Sequence, residues 1–528
     1  MASSADAVKL KDEGNQHLKE HRLAEAVASY TAAIDLDATN PVFFSNRAQA
    51  QIKLENYGLA VFDCDQAIAL DDKFAKAWYR KAVAQMAILQ YKEAQANLKK
   101  VLELVPNDRL TLTHLKQCQA MIKRQAFEKA IAGDGKISVL NSIDYEGIQI
   151  EKSWQGRSLD ITATKDPETK QVVVDIKGLD REYLKDMIKL FKDGQRLPKQ
   201  HVFAIVAKVN QLLREENTLV ELHQRHPKLN DSVPEDAIDL GSAKLTVVGD
   251  THGQFYDVLN MFAEYGPVDP ENHAYLFNGD FVDRGSWSCE VALYLYVLKI
   301  LYPKSVFINR GNHETNDMNI NYGFADECEH KYSKKVYEAF AESFGALPLA
   351  TLVNQSYLVM HGGLFSDDKV TLQDIKKLNR LKDGNTQPPK EGIAMELLWT
   401  DPQPVNGRGP SKRGIGMQFG PDITERFCLQ NKIRKVLRSH EVRNDGYETE
   451  HKGRLITVFS APNYCDATGN KGAVIDIDAD DNYNPDEDDG EGYRNPDVNS
   501  PWKLTPHQFD AVPHPDIRPM AYTKSMGF

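Results

Sequence analysis

Five short runs bring carboxylates, imidazoles and an amide into one order along the chain: GDTHG (Asp250, His252), NGDFVDRG (Asp280, Asp283, Arg284), RGNHE (Asn312, His313), MHGG (His361) and RSHE (His440). Oxygen and imidazole donors without thiolates suit a hard-to-borderline divalent ion such as manganese, iron or zinc. One GD or HGG pair alone carries little weight, because an isolated histidine is more often structural or solvated than a ligand. The weight lies in the recurrence: every run directly follows a short apolar, β-branched segment.

Those segments are the elements that must position the chemistry. Candidate strands are 245–248, 275–277, 306–308, 357–360, 435–437 and 455–459. In open α/β sheets ligands gather at the carboxyl ends of strands, so residues distant in sequence can converge there. From about residue 181 such runs alternate with helical segments, the texture of an α/β domain. The apolar stretch Val291 to Tyr302 falls short of the ~20 residues a bilayer span needs and predicts a buried helix ended by Pro303.

With SAPNYC (residues 460–465), these runs resemble the serine/threonine phosphoprotein phosphatases, and with the repeats described below their tetratricopeptide-bearing type-5 branch. The resemblance extends from about residue 7 to Tyr522 and implies an all-α solenoid followed by an α/β metallophosphoesterase domain, a β-sandwich flanked by helices. It implies two divalent ions, manganese as assayed and iron or zinc in cells. Asp250 and His252 would hold one, Asn312, His361 and His440 the other, and Asp280 would bridge them. It further implies His313 as the acid that protonates the leaving alkoxide, Asp283 as its orienter, and Arg284, Asn312, Arg408, His440 and Tyr464 around the substrate phosphate.

The chemistry is coherent. Two ions ~3.5 to 4 Å apart can clamp phosphoryl oxygens and acidify a water for direct attack, so no phospho-enzyme is required. A carboxylate on one imidazole nitrogen fixes the tautomer and leaves the other to carry a proton. Guanidinium groups grip phosphate in bidentate fashion. Blander roles stand beside these: Asp283 also suits a helix N-cap, Arg408 in DPQPVNGRGPSKRG suits a solvated loop, and Tyr464 suits a buried ring. Two departures from the family pattern stand out, Met417 in GIGMQFG and a long acidic loop at about 476–497. The loop is expected to be solvated and free of calcium, because Asp481 stands where a calcium-loop glycine belongs.

Residues 7–109 repeat with a period of 34, that of the helix-turn-helix tetratricopeptide unit. Leu10, Phe44 and Trp78 share one phase, Gly14, Ala48 and Ala82 a second, Ala26, Ala60 and Ala94 a third, and Leu36, Leu70 and Leu104 a fourth. Small residues let the two helices of a repeat approach, and large ones fill the stack between repeats. Three repeats follow, then over 110–180 a capping helix and a stretch that reads as a linker or an irregular docking segment, then the catalytic domain over 181–528.

First helices of such arrays line a concave groove. Lys11 and Asn15, Asn46, and Lys76 and Arg80 lie on them at matching phases, and residues four apart share a helix face. Singly each reads as solvated surface. Together they match the family's clamp for the EEVD tails of heat-shock chaperones. Glu55, in the turn of repeat two, matches a residue through which the family's repeats restrain the active site, a restraint that chaperone tails or a fatty acid would lift.

A net charge of -12 disfavours long-range attraction to nucleic acid or anionic lipid. Six scattered cysteines form no CxxC pair, and the opening MASSADAVKLKDEG lacks a signal-peptide core, so a reducing compartment, cytoplasm or nucleus, is expected. Two alternatives stay open to test: another phosphoesterase on the same metal scaffold, and a dead-site scaffold. The second is weakened because no ligand or acid position is substituted.

Overall fold

A computed structural model describes residues 4–523 apart from 21, 132–137, 153, 169–170, 230–231, 382–386 and 488–489. The chain forms two compact units, Met1–Lys136 with Gly409–Gln418, and Ile137–Arg408 with Phe419–Phe528. Among the described residues no helix is long and apolar enough to cross a membrane.

The first unit is three antiparallel helix pairs, α1 (Ser4–Lys19) with α2 (Leu23–Leu36), α3 (Pro41–Lys53) with α4 (Tyr57–Leu70), and α5 (Ala75–Ala87) with α6 (Tyr91–Leu104), followed by α7 (Arg109–Ile131). Pro41 opens α3, where its missing N–H costs nothing, and the Asn40 side chain accepts from the Val42 amide. The alanine columns are fully buried, as close helix approach requires. Gly14 belongs to the same logic: a Cβ there would lie 2.7 Å from the Tyr30 ring. The fourth column departs from expectation, because Leu36 and Leu70 end their helices and are exposed. Gly409–Gln418 packs in this unit: the Lys412 carbonyl accepts from the first-turn amides of Gly58 (2.8 Å) and Leu59 (3.2 Å) of α4, and Ile415 packs against the cluster of Ile52, Tyr57 and Ile88.

The second unit opens on a hairpin, β1 (Asp160–Lys165) and β2 (Val172–Lys177), and helices α8 (Arg181–Lys192) and α9 (Lys199–Glu215). Two sheets then face each other. Strands β3 (Leu219–His223), β4 (Ile238–Asp239), β8 (Ala350–Val353), β9 (Tyr357–Met360), β13 (Lys435–Arg438), β14 (Tyr447–Glu450) and β15 (Leu455–Val458) make one, in the order β14-β15-β13-β9-β8-β3-β4. Strands β5 (Lys244–Val248), β6 (His273–Phe277), β7 (Val306–Ile308), β16 (Gly472–Ala479) and β17 (Trp502–Phe509) make the other, ordered β17-β16-β5-β6-β7. Three short strands, β10 (Asp401–Pro402), β11 (Arg408–Pro410) and β12 (Met417–Phe419), form a small separate sheet. Leu245, Val247, Leu276, Val359, Leu437 and Ile477 meet between the two large sheets in one apolar core, the β-sandwich expected. Helices α10 (Phe255–Tyr265) and α11 (Ser288–Leu301) join α9 in a second core on the outer face of the five-stranded sheet. Helix α11, the apolar stretch of the sequence, is buried nearly all round.

Two expectations are corrected. Residues 138–180 are not a linker: Leu140, Tyr145, Leu159, Ile161 and Val174 are buried in the α9–α11 core, and the Glu342 carboxylate accepts from the Val139 and Leu140 amides. The low apolar density of that segment hid a hairpin with one buried edge. The acidic loop starts later than 476, because Asp476 to Ala479 lie in β16, where Asp476 pairs with Lys244 at 2.8 Å and accepts from Thr246.

A chain beginning at residue 138 should therefore melt cooperatively. One beginning at 175 strips six buried apolar side chains (Leu140, Ile143, Tyr145, Leu159, Ile161 and Val174) from the core, and its calorimetric midpoint should fall by about 10 °C or more.

Candidate functional site

The five motif runs occupy the loops after β5, β6, β7, β9 and β13, and Tyr464 the loop after β15. Strands β5, β6 and β7 run parallel, as do β9, β13 and β15, so all six loops emerge at the same end. An isolated parallel bridge between Asp250 and Phe459 joins the two sheets there. The loops are also tied to one another: the amides of Thr251 and His252 donate to the Asp280 carbonyl at 3.0 and 2.9 Å.

Asp280 is the shared member of two buried groups with donor atoms within 4.8 Å of one another, His252–Asp280–His313 and Asp280–His361–His440. Its Oδ2 lies 3.6 Å from His252 Nε2 and 3.2 Å from His361 Nε2. His361 Nε2 is also 2.8 Å from Asn312 Oδ1 and 3.2 Å from His440 Nδ1. Asp250 completes the set, with Oδ2 3.7 Å from His252 Nε2 and Oδ1 3.7 Å from His361 Nδ1. All six residues expected to ligate metal are thus brought together.

The second layer fixes their presentation. His252 Nδ1 donates to the Val282 carbonyl (3.0 Å) and His361 Nδ1 to the Asn278 carbonyl (2.9 Å), which turns both Nε2 atoms toward the cluster. Asp280 Oδ1 accepts from the His313 amide at 2.7 Å. Burial would raise the Asp280 pKa, but the imidazoles of His361, His313 and His252 hold it far below the usual carboxylate range. Burial would likewise lower His361, yet the Asp280 and Asp250 carboxylates lift it to about 9. Asp250 Oδ2 is buried without a hydrogen-bond partner among the described residues. Two buried carboxylates, imidazoles stripped of other acceptors and an amide oxygen in one pocket fit divalent metal.

His313 stands beside this cluster, its ring 4.7 Å from that of His252, with Nδ1 2.9 Å from Asp283 Oδ2. Asp283 also accepts from Asn319 Nδ2 (3.1 Å) and the Phe324 amide (2.8 Å). The Arg284 guanidinium lies 4.0 Å over the Tyr322 ring. Tyr464 is buried with its ring 5.1 Å from His252. Arg408 donates to the Phe365 carbonyl (3.0 Å) and to Asp368 (2.5 Å).

The motif reading passed over the supports. Asn278 bonds to Met360 and Ser439 across the sandwich, and Glu314 accepts from the amides of Asp280, Phe281 and Gly311. Burial and the neighbouring Asp280 push Glu314 up to about 8. Both sit inside the recognised runs, which was the available signal. Nothing in the sequence marks Asn319 or Tyr322.

In the repeats, Asn15, Asn46 and Arg80 form a connected row. Asn46 Nδ2 donates to Asn15 Oδ1 (3.1 Å) and Arg80 Nη1 to Asn46 Oδ1 (3.2 Å). Arg80 also holds the Ser45 carbonyl and Gln49, while Tyr30 donates to Asn15. Lys76 is exposed on α5, and Lys11 pairs with Asp12. Glu55 sits in the α3–α4 turn with φ of +62°.

Residues 243–444 match the calcineurin-like phosphoesterase family, 75–108 a tetratricopeptide repeat, and 115–221 the family described as PPP5 TPR repeat region. The chain is 46% identical to serine/threonine-protein phosphatase T of Aspergillus oryzae, over 99% of both proteins. It is 40% identical to serine/threonine-protein phosphatase 5 of Homo sapiens, over 98% of this chain and 93% of that one. A solved structure of a protein serine/threonine phosphatase from Saccharomyces cerevisiae, described as similar to human PP5, superposes with a TM-score of 0.56 at 53% identity, covering 65% of this chain and 100% of that one.

Asp280→Asn removes the charge that both halves of the cluster share. Metal analysis after dialysis should show at least about a tenfold drop in bound divalent ion relative to the native chain, the scale expected when a buried charge pair is broken.

Proposed function

The chain belongs to the family of serine/threonine-protein phosphatases 5 and T, and on that premise we propose that it hydrolyses phosphoserine and phosphothreonine esters in proteins by direct attack of water on phosphorus. The observation that carries this reading is the position of Asp280, whose Oδ2 lies 3.6 Å from His252 Nε2 on the side of Asp250 and 3.2 Å from His361 Nε2 on the side of Asn312 and His440. Asp250, His252 and Asp280 would hold one divalent ion, and Asp280, Asn312, His361 and His440 a second. Manganese, iron or zinc bound there would supply Lewis acidity to the phosphoryl oxygens and bring water's pKa toward neutrality.

The chain's own residues do the rest. Asp283, oriented by Asn319 and the Phe324 amide, accepts the Nδ1 proton of His313, so Nε2 is the nitrogen that delivers a proton to the departing seryl or threonyl oxygen. Arg284, flattened on Tyr322, offers its guanidinium plane to phosphate oxygens. Arg408 can join it only by leaving Asp368. Tyr464 closes the pocket wall beside His252.

The repeats are proposed to bind acidic chaperone tails ending in EEVD and to restrain turnover until they do. The row Asn15–Asn46–Arg80 supports the first part, because it presents amides and a cation along one line of first helices, with Lys11 and Lys76 flanking. The second is supported by Gly409–Gln418, which follows Arg408 directly and packs with the repeats at Gly58. A Cβ at Gly58 would meet the Ser411 carbonyl at 2.7 Å, so only glycine admits that approach. Glu55, three residues earlier, is the acidic group proposed to take part.

His313→Ala should keep its metal yet lose about 10² to 10⁴ in turnover on a phosphoserine peptide, and far less on an aryl phosphate whose leaving group needs no proton. Equal losses on both substrates would remove His313 from the acid role. Faster hydrolysis of a bis-aryl diester than of the peptide would favour the other phosphoesterase reading.

For the repeats, an EEVD-ended peptide should raise the intact chain's turnover on the aryl phosphate, and Glu55→Ala should raise it without peptide. Lys76→Ala should weaken the peptide's effect about tenfold, as loss of a charge-assisted hydrogen bond does. Lys76 is the cleaner probe, because Arg80 also braces Ser45 and Gln49. A flat response to peptide would end the regulatory reading and leave the catalytic one standing.

A further inference from the structure

The segment Val512–Tyr522 lies across the catalytic loops from outside. The Val512 amide donates to Asp257 at the start of α10 (2.8 Å), just beyond the Asp250–His252 loop. His514 pairs with Asp466 (3.1 Å), in the loop that holds Tyr464, and its ring meets Trp287 at 5.0 Å. The Met520 amide donates to the Arg284 carbonyl (2.9 Å). Buried Ser286 takes part twice: its hydroxyl donates to the Arg518 carbonyl (2.8 Å) and accepts from the Ala521 amide (3.1 Å). Its own carbonyl accepts from Lys331 Nζ (3.0 Å), over which the Tyr522 ring lies at 5.2 Å.

These contacts converge on a turn that needs holding. Asp283 and Arg284 are both left-handed at φ of +68°, a conformation that is strained for a non-glycine residue and persists only where the surroundings fix it. On the inner side Tyr322 accepts from the Arg284 amide (3.1 Å) and stacks on its guanidinium. On the outer side the backbone of 284–286 bonds to the late segment and to Lys331.

We propose that Val512–Tyr522 is a strap that places Arg284 for phosphate, with Ser286 as the positioning residue through which it acts. The proposal rests on the reading of Arg284 as a phosphate ligand. The strap touches no reacting atom. By pinning two strained residues from behind, it keeps the guanidinium from swinging with its turn, so it sets phosphate affinity rather than the chemical step.

The test uses the full chain with saturating manganese and reads kcat, KM for an aryl phosphate and Ki for orthophosphate. Ser286→Ala, which removes both of its bonds to the strap, and Met520→Pro, which removes the amide on Arg284 and, with its fixed negative φ, cannot keep the left-handed turn of the strap there, should each raise KM and Ki with kcat within about twofold, the first about three- to tenfold, the scale of one or two lost hydrogen bonds, and the second at least as far. Met520 has φ of +52°, so Met520→Gly, which keeps the amide and suits that angle, should behave as the native chain. Adding Ser286→Ala to Arg284→Ala should change nothing further, because the strap acts through that arginine. Unchanged KM and Ki in both Ser286→Ala and Met520→Pro would overturn the proposal. A full additional loss in the Arg284→Ala background would overturn it too. If Arg284→Ala itself left the orthophosphate Ki unchanged, the premise would fall and the proposal with it. That outcome is told apart from failure of the strap alone by the single Arg284 variant.

Discussion

An ionised carboxylate in the middle of a protein is the constraint around which the catalytic unit is organised. Asp280 is almost fully buried, and a charge in such a place is tolerable only when cations and hydrogen-bond donors surround it. Three imidazoles stand within reach and one backbone amide meets its Oδ1. The loops cannot relax away without leaving that charge uncompensated. Divalent metal satisfies the same demand more completely, which is why the ligand set makes sense only as a unit.

Holding so many polar groups at one point strains the chain. His252, Asp280, Asp283, Arg284, His440 and Asn463 all have φ between about +39° and +71°, a region side chains rarely adopt, and all lie in the loops at the strand ends. The compensation comes from bonds between those loops and from elements outside them. Asn278 bonds across the sandwich to β9 and to Ser439 after β13, Asn319 and Phe324 pin Asp283, and the apolar cores on either side of β5, β6 and β7 keep the strand ends rigid. Fold and site are therefore one problem: the sandwich stays rigid so that four of the six loops can stay strained.

Much of this was legible because it rests on local chemistry. β-Branched runs ending in polar clusters marked the six site strands to within two residues, and the alanine columns of the repeats marked where helices touch. What was hidden depends on partners far along the chain. Among its described residues the hairpin 160–177 buries only Ile161 and Val174, so composition alone made it a linker. Asp476 looked like loop because its partner Lys244 lies more than two hundred residues away. Leu36 and Leu70 kept phase in the repeat without being buried, since periodicity reports spacing and not depth. Arg408 carried the motif's residue type, but Asp368 decides where its guanidinium goes.

The account stands or falls on Asp280 being shared by two ions. Anomalous diffraction from crystals of the full chain grown with manganese addresses it directly. Two peaks about 3.5 to 4 Å apart are predicted, one beside Asp250 and His252, the other beside Asn312, His361 and His440, with an Asp280 oxygen touching both. A single peak, or two peaks of which one lies away from Asp280, would contradict it.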